Sequence, residues 1–355
     1  MSRTLLDRLA LLAREAGSAL VPDAALPDLS ATAALAAGTN AELTLECHLG
    51  STSGRVDLVL GFTPADRDLL MASDARLPPA VRHFFGRWAE PNDTLALVPY
   101  VELEIDLDPS RRTPPSTWIG PTIEPRRKGN LSQLVGDRAG LSRVEWPSYR
   151  IAMAVGAESG LATEPWRRRL DRVFQALPVS GSIHHFAAFD SRARGAAGAR
   201  LIVSLPRHDV ARYLGEIGSL APIASVMELL DEVVPFEGQI DLDVDLGLVE
   251  TGTKTATYVG MVAPRRVSSR YQATMETLAR WCRVPQAKLD AIDAWVARVE
   301  GDPSYELSVK IGFDDAIFAK AYLQSRRAPY SLKGHPWADS AAPTGSDSCL
   351  APPCE

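Results

Sequence analysis

Residues 305–324 read YELSVKIGFDDAIFAKAYLQ. Tyr305, Leu307, Val309, Ile311 and Phe313 alternate with Glu306, Ser308, Lys310 and Gly312. After a short DDAI link, Ala319, Ala321 and Leu323 alternate with Lys320, Tyr322 and Gln324. Successive side chains of a strand point to opposite faces, so period two around a tight turn predicts a half-buried antiparallel hairpin. Such a hairpin buries one face and leaves the other wet or lining a cavity. Here that second face carries two lysines and a tyrosine.

The same pattern recurs upstream. Ile240–Leu248 sets Leu242, Val244, Leu246 and Leu248 against Asp241, Asp243 and Asp245, and pairs with Ala256–Val262, where Tyr258 and Gly260 share the polar side. Ser182–Phe189 is followed by Ala199–Leu205, where Leu201, Val203 and Leu205 oppose Arg200, Ile202 and Ser204. Leu97–Leu107 sets Val101, Leu103, Ile105 and Leu107 against Tyr100, Glu102, Glu104 and Asp106. Its favoured partner is Trp118–Glu124; the other candidate, Tyr149–Val155, reads equally as a helix, because short apolar runs are ambiguous by period alone. The first pair places Leu43, Leu45, Cys47 and Leu49 against Thr44, Glu46 and His48, then Val56, Leu58, Leu60 and Phe62 against Arg55, Asp57, Val59 and Gly61.

Helical patterns separate these pairs. They cover about 1–20, Ala31–Thr39, Ala65–Ser73, Pro79–Trp88, Pro165–Ala176, Arg207–Ile217, Pro222–Val233, Ser269–Arg283 and Pro285–Val299. Several open on proline, whose fixed φ and missing N–H suit a first turn. Five hairpins that each expose a polar face can lose their edges only by closing. The expected fold class is α+β: an antiparallel barrel of about ten strands, with a polar lumen and helices packed outside. Residues 1–327 form the single barrel domain and 328–355 a flexible C-terminal tail.

Composition narrows the function. A formal net charge of −6 disfavours nucleic acid as the main partner, since phosphate binding needs a basic surface. No apolar run reaches the roughly 20 residues of a membrane span, and the amphipathic start is broken by Asp7, Arg8, Arg14 and Glu15. Cys47 and Cys282 read as buried thiols, while Cys349 and Cys354 fall in the Pro/Ser-rich tail. The Ala- and Arg-rich, Lys-poor composition suggests a bacterial genome and a cytoplasmic protein. No Walker loop, GxGxxG, HExxH, CxxC or GxSxG occurs. Arg126, Arg127 and Lys128 read as a solvated loop run, and His184–His185 lacks metal-ligand spacing. His48 reads as a hydrogen-bonded lumenal histidine or as an acid or base.

Eight carboxylates fall on the proposed lumen rows: Glu46, Asp57, Glu102, Glu104, Asp106, Asp241, Asp243 and Asp245. Arg55, Arg200, Lys310 and Lys320 stand against them. Either these charges pair with one another, or a divalent cation such as Mg²⁺ offsets the acids. Asp241 and Asp243 are the candidate metal ligands; residues two apart on a strand lie roughly 7 Å apart, so one ion does not easily take all three aspartates.

Over about residues 40–325 the repeat resembles the ABBA, or PT-barrel, fold of soluble aromatic prenyltransferases. The Lys320-Ala-Tyr322 strand resembles that family's Lys-x-Tyr pair, with Lys310 on the neighbouring strand. The resemblance implies that Arg200, Lys310, Lys320 and Tyr322 hold a prenyl diphosphate and that Glu46 handles the proton of an aromatic or peptide acceptor. On this reading Tyr100 and Tyr258 shield an allylic cation. The enzyme would require no cofactor, with Mg²⁺ the possible addition, and would serve secondary metabolism without nucleic-acid or membrane partners. The aspartates of 241–245 depart from the family pattern, which more often presents a cation there. They favour an alternative: a non-catalytic barrel that binds a peptide or small cationic ligand in an acidic lumen.

Overall fold

The computed structural model describes residues 4–50, 54–72, 77–107, 116–121, 142–189, 198–219, 222–233, 239–247, 251–313 and 317–325. Ten strands close into one antiparallel barrel: β1 (Glu42–His48), β2 (Val56–Phe62), β3 (Val101–Asp106), β4 (Ser116–Pro121), β5 (Ser182–Phe189), β6 (Gly198–Pro206), β7 (Gln239–Gly247), β8 (Thr251–Val262), β9 (Tyr305–Phe313) and β10 (Ile317–Ser325). Each strand pairs with its neighbours in sequence, and β1 pairs with β10 to close the ring. A closed ring leaves no strand edge exposed.

The helices among the described residues are α1 (Leu5–Ala16), α2 (Leu26–Ala34), α3 (Pro64–Ala72), α4 (Pro79–Ala89), α5 (Pro147–Glu158), α6 (Glu164–Ala176), α7 (Val210–Glu216), α8 (Ile223–Val233), α9 (Ser269–Arg280) and α10 (Gln286–Val299). Their starts follow local chemistry. Thr4 caps α1 by accepting from the Asp7 amide, while Asp7 accepts from the Thr4 amide, so two orphan donors are satisfied. The core lies between the outer barrel face and these helices. Leu43, Leu45 and Cys47, then Leu307, Val309 and Ile311, are fully buried there. On α6, Trp166, Leu170, Val173 and Phe174 recur on one helical face and are buried. Trp166 meets Phe186 of β5 edge-to-face at 6.1 Å.

The structure amends several boundaries. Tyr149–Val155 is helical, within α5, so the partner of β3 is β4 as favoured. The second helix spans Leu26–Ala34 rather than Ala31–Thr39, because Pro27 in its first turn starts it earlier. The strand read from Leu97 begins only at Val101. Asp93 caps a short 3-10 turn over Thr94–Leu97, and the buried Trp88 indole donates to the Val98 carbonyl at 2.8 Å, holding this stretch out of the sheet. Cys47 and Cys282 are buried thiols, both pushed up by burial, Cys282 to about 12. Among the described residues no helix is long and apolar enough to cross a membrane. The run Arg126–Lys128 and the tail with Cys349 and Cys354 lie outside the described residues.

Candidate active site in the barrel lumen

The register assembles the site. Glu46 faces Asp57 on one side and Tyr322 on the other, and His48 faces Lys320. Lys320 faces Lys310, which faces Tyr258, and Tyr258 faces Asp241. Arg200 faces Asp245. Every one of these positions belongs to the polar row of its strand, so the closed ring turns them toward one lumen. Glu102, Glu104 and Asp106 occupy the same row of β3, opposite Gly120, Trp118 and Ser116.

Charges are matched across strands. Arg200 holds Asp245 in a bidentate pair, Nε to Oδ1 at 2.6 Å and Nη2 to Oδ2 at 3.1 Å, and reaches Asp243 at 3.3 Å. Asp243 also takes the ammonium of Lys310. Lys320 donates to Glu46 Oε1. Arg55 bridges Asp57 and Asp106, each at 3.0 Å. Each of the four lumen cations therefore holds at least one lumen carboxylate.

The electrostatics are uneven. Burial alone would raise Glu46, but Lys320, Lys310 and His48 hold its carboxyl down at about 2. Glu104 is pushed up to about 8, first by burial and then by the charge of Glu46. Lys310 is lowered by burial and by the Arg200 guanidinium, in spite of Asp243. Burial would lower Lys320 too, yet Glu46 and Glu104 raise it. Arg200 stays charged, raised by Asp245 and Asp243 against its burial. One carboxylate oxygen stands out: Glu46 Oε2 is buried and has no hydrogen-bond partner among the described residues.

His48 is a hydrogen-bonded histidine of the lumen, one of its two sequence readings, whereas Glu42, His184 and His185 enter the site without having been read into it. His48 Nε2 lies 2.8 Å from Asp57 Oδ2 and 3.5 Å from Glu46 Oε1, so it links the two acids. Glu46, His48 and Asp57 bring one ligand atom each within 4.8 Å of one another, and this trio could hold a metal ion. Asp243 engages Lys310 and Arg200, and Asp241 lies 3.6 Å from His184. A register shift between Ile183 and His185 lets both histidines reach lumen acids, His185 lying 3.6 Å from Glu102. Burial holds His185 at about 4. Its ring covers Gly120, where any side chain would collide with it. Tyr100 donates to Glu42 at 2.9 Å, with its hydroxyl over Gly61. That point is four residues along β1 from Glu46, about 13 Å at 3.3 Å per residue. Only register distinguishes Glu42 and His48 from other polar strand residues, and register is not a local property. A separate cleft of about 570 Å³ opens outside the barrel beside Arg266, Tyr271, Met275 and Asp293, and shares no residue with these rows.

No family model and no curated protein matches this chain. Solved structures do. A 6-dimethylallyl tryptophan synthase superposes with a TM-score of 0.55 at 12% identity, over 92% of this chain and 100% of that one. Prenyltransferase PriB in ternary complex with L-tryptophan and dimethylallyl thiolodiphosphate gives 0.54 at 10% identity, over 91% and 96%. AnaPT from Neosartorya fischeri gives 0.51 at 10% identity, over 81% and 77%. A closed ten-stranded antiparallel barrel ringed by helices, shared along nearly the whole length of such neighbours, is the PT-barrel, and this chain has that fold.

Proposed function

We propose that the protein is an aromatic prenyltransferase, moving an allylic group from a prenyl diphosphate to an aromatic or peptide acceptor in secondary metabolism. The observation that carries this reading is the side-by-side placement of Lys310 and Lys320 in the lumen, where burial and then Arg200 lower the proton affinity of Lys310. Buried like charges repel, and a diphosphate would relieve them. In the reaction the allylic C–O bond breaks and both electrons leave on the diphosphate. Arg200, Lys310, Lys320 and Tyr322 stabilise that growing charge. Tyr258, whose strand position is opposite Lys310, and Tyr100 are the proposed shields of the allylic cation. An aromatic carbon attacks the cation, and the ring then loses a proton. Glu46 takes the acceptor's N–H or O–H proton through Oε2, and the C–H proton that the ring loses returns to that N or O, so one proton leaves in total. As the diphosphate draws on Lys320, the hold of that ammonium on Glu46 weakens and the carboxylate becomes a better base.

The ternary complex of PriB supports the pairing of an allylic donor with an aromatic acceptor. A bacterial, cytoplasmic setting rests on composition alone, and Asp241 with Asp243 remains the proposed Mg²⁺ position for a diphosphate-bound state. One observation favours a second reading: the lumen cations already hold carboxylates, as in a non-catalytic barrel for a peptide or small cation. The deciding experiment is transfer from dimethylallyl and geranyl diphosphates to aromatic acceptors and to Tyr- and Trp-containing peptides, read by mass spectrometry. Product from wild type is expected. No product with any acceptor, together with no diphosphate binding by calorimetry, sinks the enzyme reading and leaves the binder.

A further inference from the structure

We propose that Glu46, His48 and Asp57 form a binding site for one divalent transition-metal ion of the Zn²⁺ or Mn²⁺ class. The three residues project from adjacent antiparallel strands: Glu46 stands opposite Asp57, and His48 lies two residues further along β1. His48 Nε2 hydrogen-bonds Asp57 Oδ2 at 2.8 Å and lies 3.5 Å from Glu46 Oε1, and one ligand atom of each residue lies within 4.8 Å of the others, close enough for a single ion to replace the hydrogen bond and gather all three. Metal bonds of about 2.1 Å place neighbouring ligand atoms about 3.0 Å apart at right angles and about 3.4 Å apart at tetrahedral angles.

A second observation is independent of these distances. Glu46 is 0% exposed, and its Oε2 has no hydrogen-bond partner among the described residues. Oε1 is the oxygen nearest His48, so an ion held by both oxygens of the Glu46 carboxylate would also satisfy the buried, unpartnered Oε2. The ligands are also held from behind. Asp57 Oδ1 accepts from Arg55 Nε at 3.1 Å and from the Leu107 amide at 2.9 Å, which turns Oδ2 toward His48. On the outer side, Lys288 of α10 donates to the His48 carbonyl at 2.5 Å and fixes the end of β1. Partners of this kind fix ligand orientation in metal sites.

The donor set chooses the ion. Mg²⁺ keeps oxygen ligands and several waters, whereas an imidazole nitrogen suits Zn²⁺ and its transition-metal neighbours. Three protein ligands leave a position open for water or another oxygen. Lys320 on Glu46 and Arg55 on Asp57 are the cations that compete for the same oxygens. The site does not rest on prenyl transfer: a bound ion would occupy the carboxylate proposed above as the base, so metal binding is read without turnover.

The test is calorimetric titration of the metal-free full-length protein with Zn²⁺, Mn²⁺ and Mg²⁺. One Zn²⁺ or Mn²⁺ per chain is expected, with Mg²⁺ at least about tenfold weaker. His48→Ala and Glu46→Gln each weaken binding by about tenfold or more, and Lys320→Met tightens it by removing a competing ammonium. Circular dichroism checks that the variants keep the barrel. The visible spectrum of the Co²⁺-loaded wild type gives a readout that needs no variant: nitrogen and oxygen ligation, with no sulfur charge-transfer band. The proposal is overturned if no transition ion binds, if both substitutions leave binding unchanged, or if alkylating the cysteines abolishes it.

Discussion

At the scale of single residues, Lys320 is the position whose change separates chemistry from structure. It projects into the lumen, is linked to Glu46, and stands beside Lys310. Lys320→Met keeps much of the stem and removes the charge. Turnover should fall by roughly a hundredfold, the scale of losing one oxyanion donor, with little change in circular dichroism. Unchanged turnover would show that Lys320 only balances Glu46. Glu104 makes a second residue-scale prediction. Its ordinary value of 4.5 rises to about 8 in the folded chain. An acid whose folded value is raised costs no stability below its unfolded value, then destabilises the fold progressively as pH climbs toward the folded value. Glu104→Gln removes that penalty. Its stability relative to wild type should therefore improve from about pH 5 to about pH 8, by on the order of 1–3 kcal/mol in urea melts. A difference that does not vary with pH counts against a raised, protonated Glu104. Glu46 works in the opposite direction: its lowered value contributes stability above 4.5 that is lost as pH falls toward about 2.

At the scale of elements, two helical glycines test what packing adds to propensity. Gly156 in α5 lies against the fully buried ring of Trp166, and a β-carbon there would sit 2.5 Å from it. Trp166 is itself pinned by Phe186. Gly156→Ala gains about 1 kcal/mol of helix propensity, but overpacking typically costs about 1–3 kcal/mol, so a net loss is expected by thermal melt. Gly86 in α4 has no heavy atom near the corresponding position. Gly86→Ala should raise stability by about 0.5–1 kcal/mol. Equal effects from the two substitutions would mean that α5 does not seat closely on α6.

At the scale of the whole molecule, the fold depends on one long-range seam. β1 and β10 pair from Leu43↔Ser325 to His48↔Lys320. Arg8 of α1 clips that seam from outside, donating to the Ala41 carbonyl at 2.8 Å and to the Ser325 carbonyl at 2.9 Å. Hydrogen bonds from a charged donor are worth about 1.5–3 kcal/mol each. Arg8→Ala should lower unfolding stability by about 2 kcal/mol, read from urea midpoints. An unchanged midpoint would mean that the seam holds through its ladder alone.

The sequence by itself determined the strands, most of the helices and the sidedness of most strands. Alternation in YELSVKIGF is a property of neighbouring residues, and it put Lys310 on the polar row before any partner was known. Five polar-faced hairpins then left closure as the way to protect their edges, so the barrel followed from local pattern and solvation. Tertiary structure alone decided which charges meet. Glu46 and Lys320 lie 274 positions apart, and Arg200 and Asp245 lie 45 apart. No local period relates such residues; register and ring closure do. Register across β1 and β2 makes a polar histidine of β1 the link between Glu46 and Asp57, and the neighbouring strands bring Lys310 and Arg200 to Asp243. Composition counted the lumen charges, and geometry set how they pair, because Coulomb energy depends on distance and burial rather than on number.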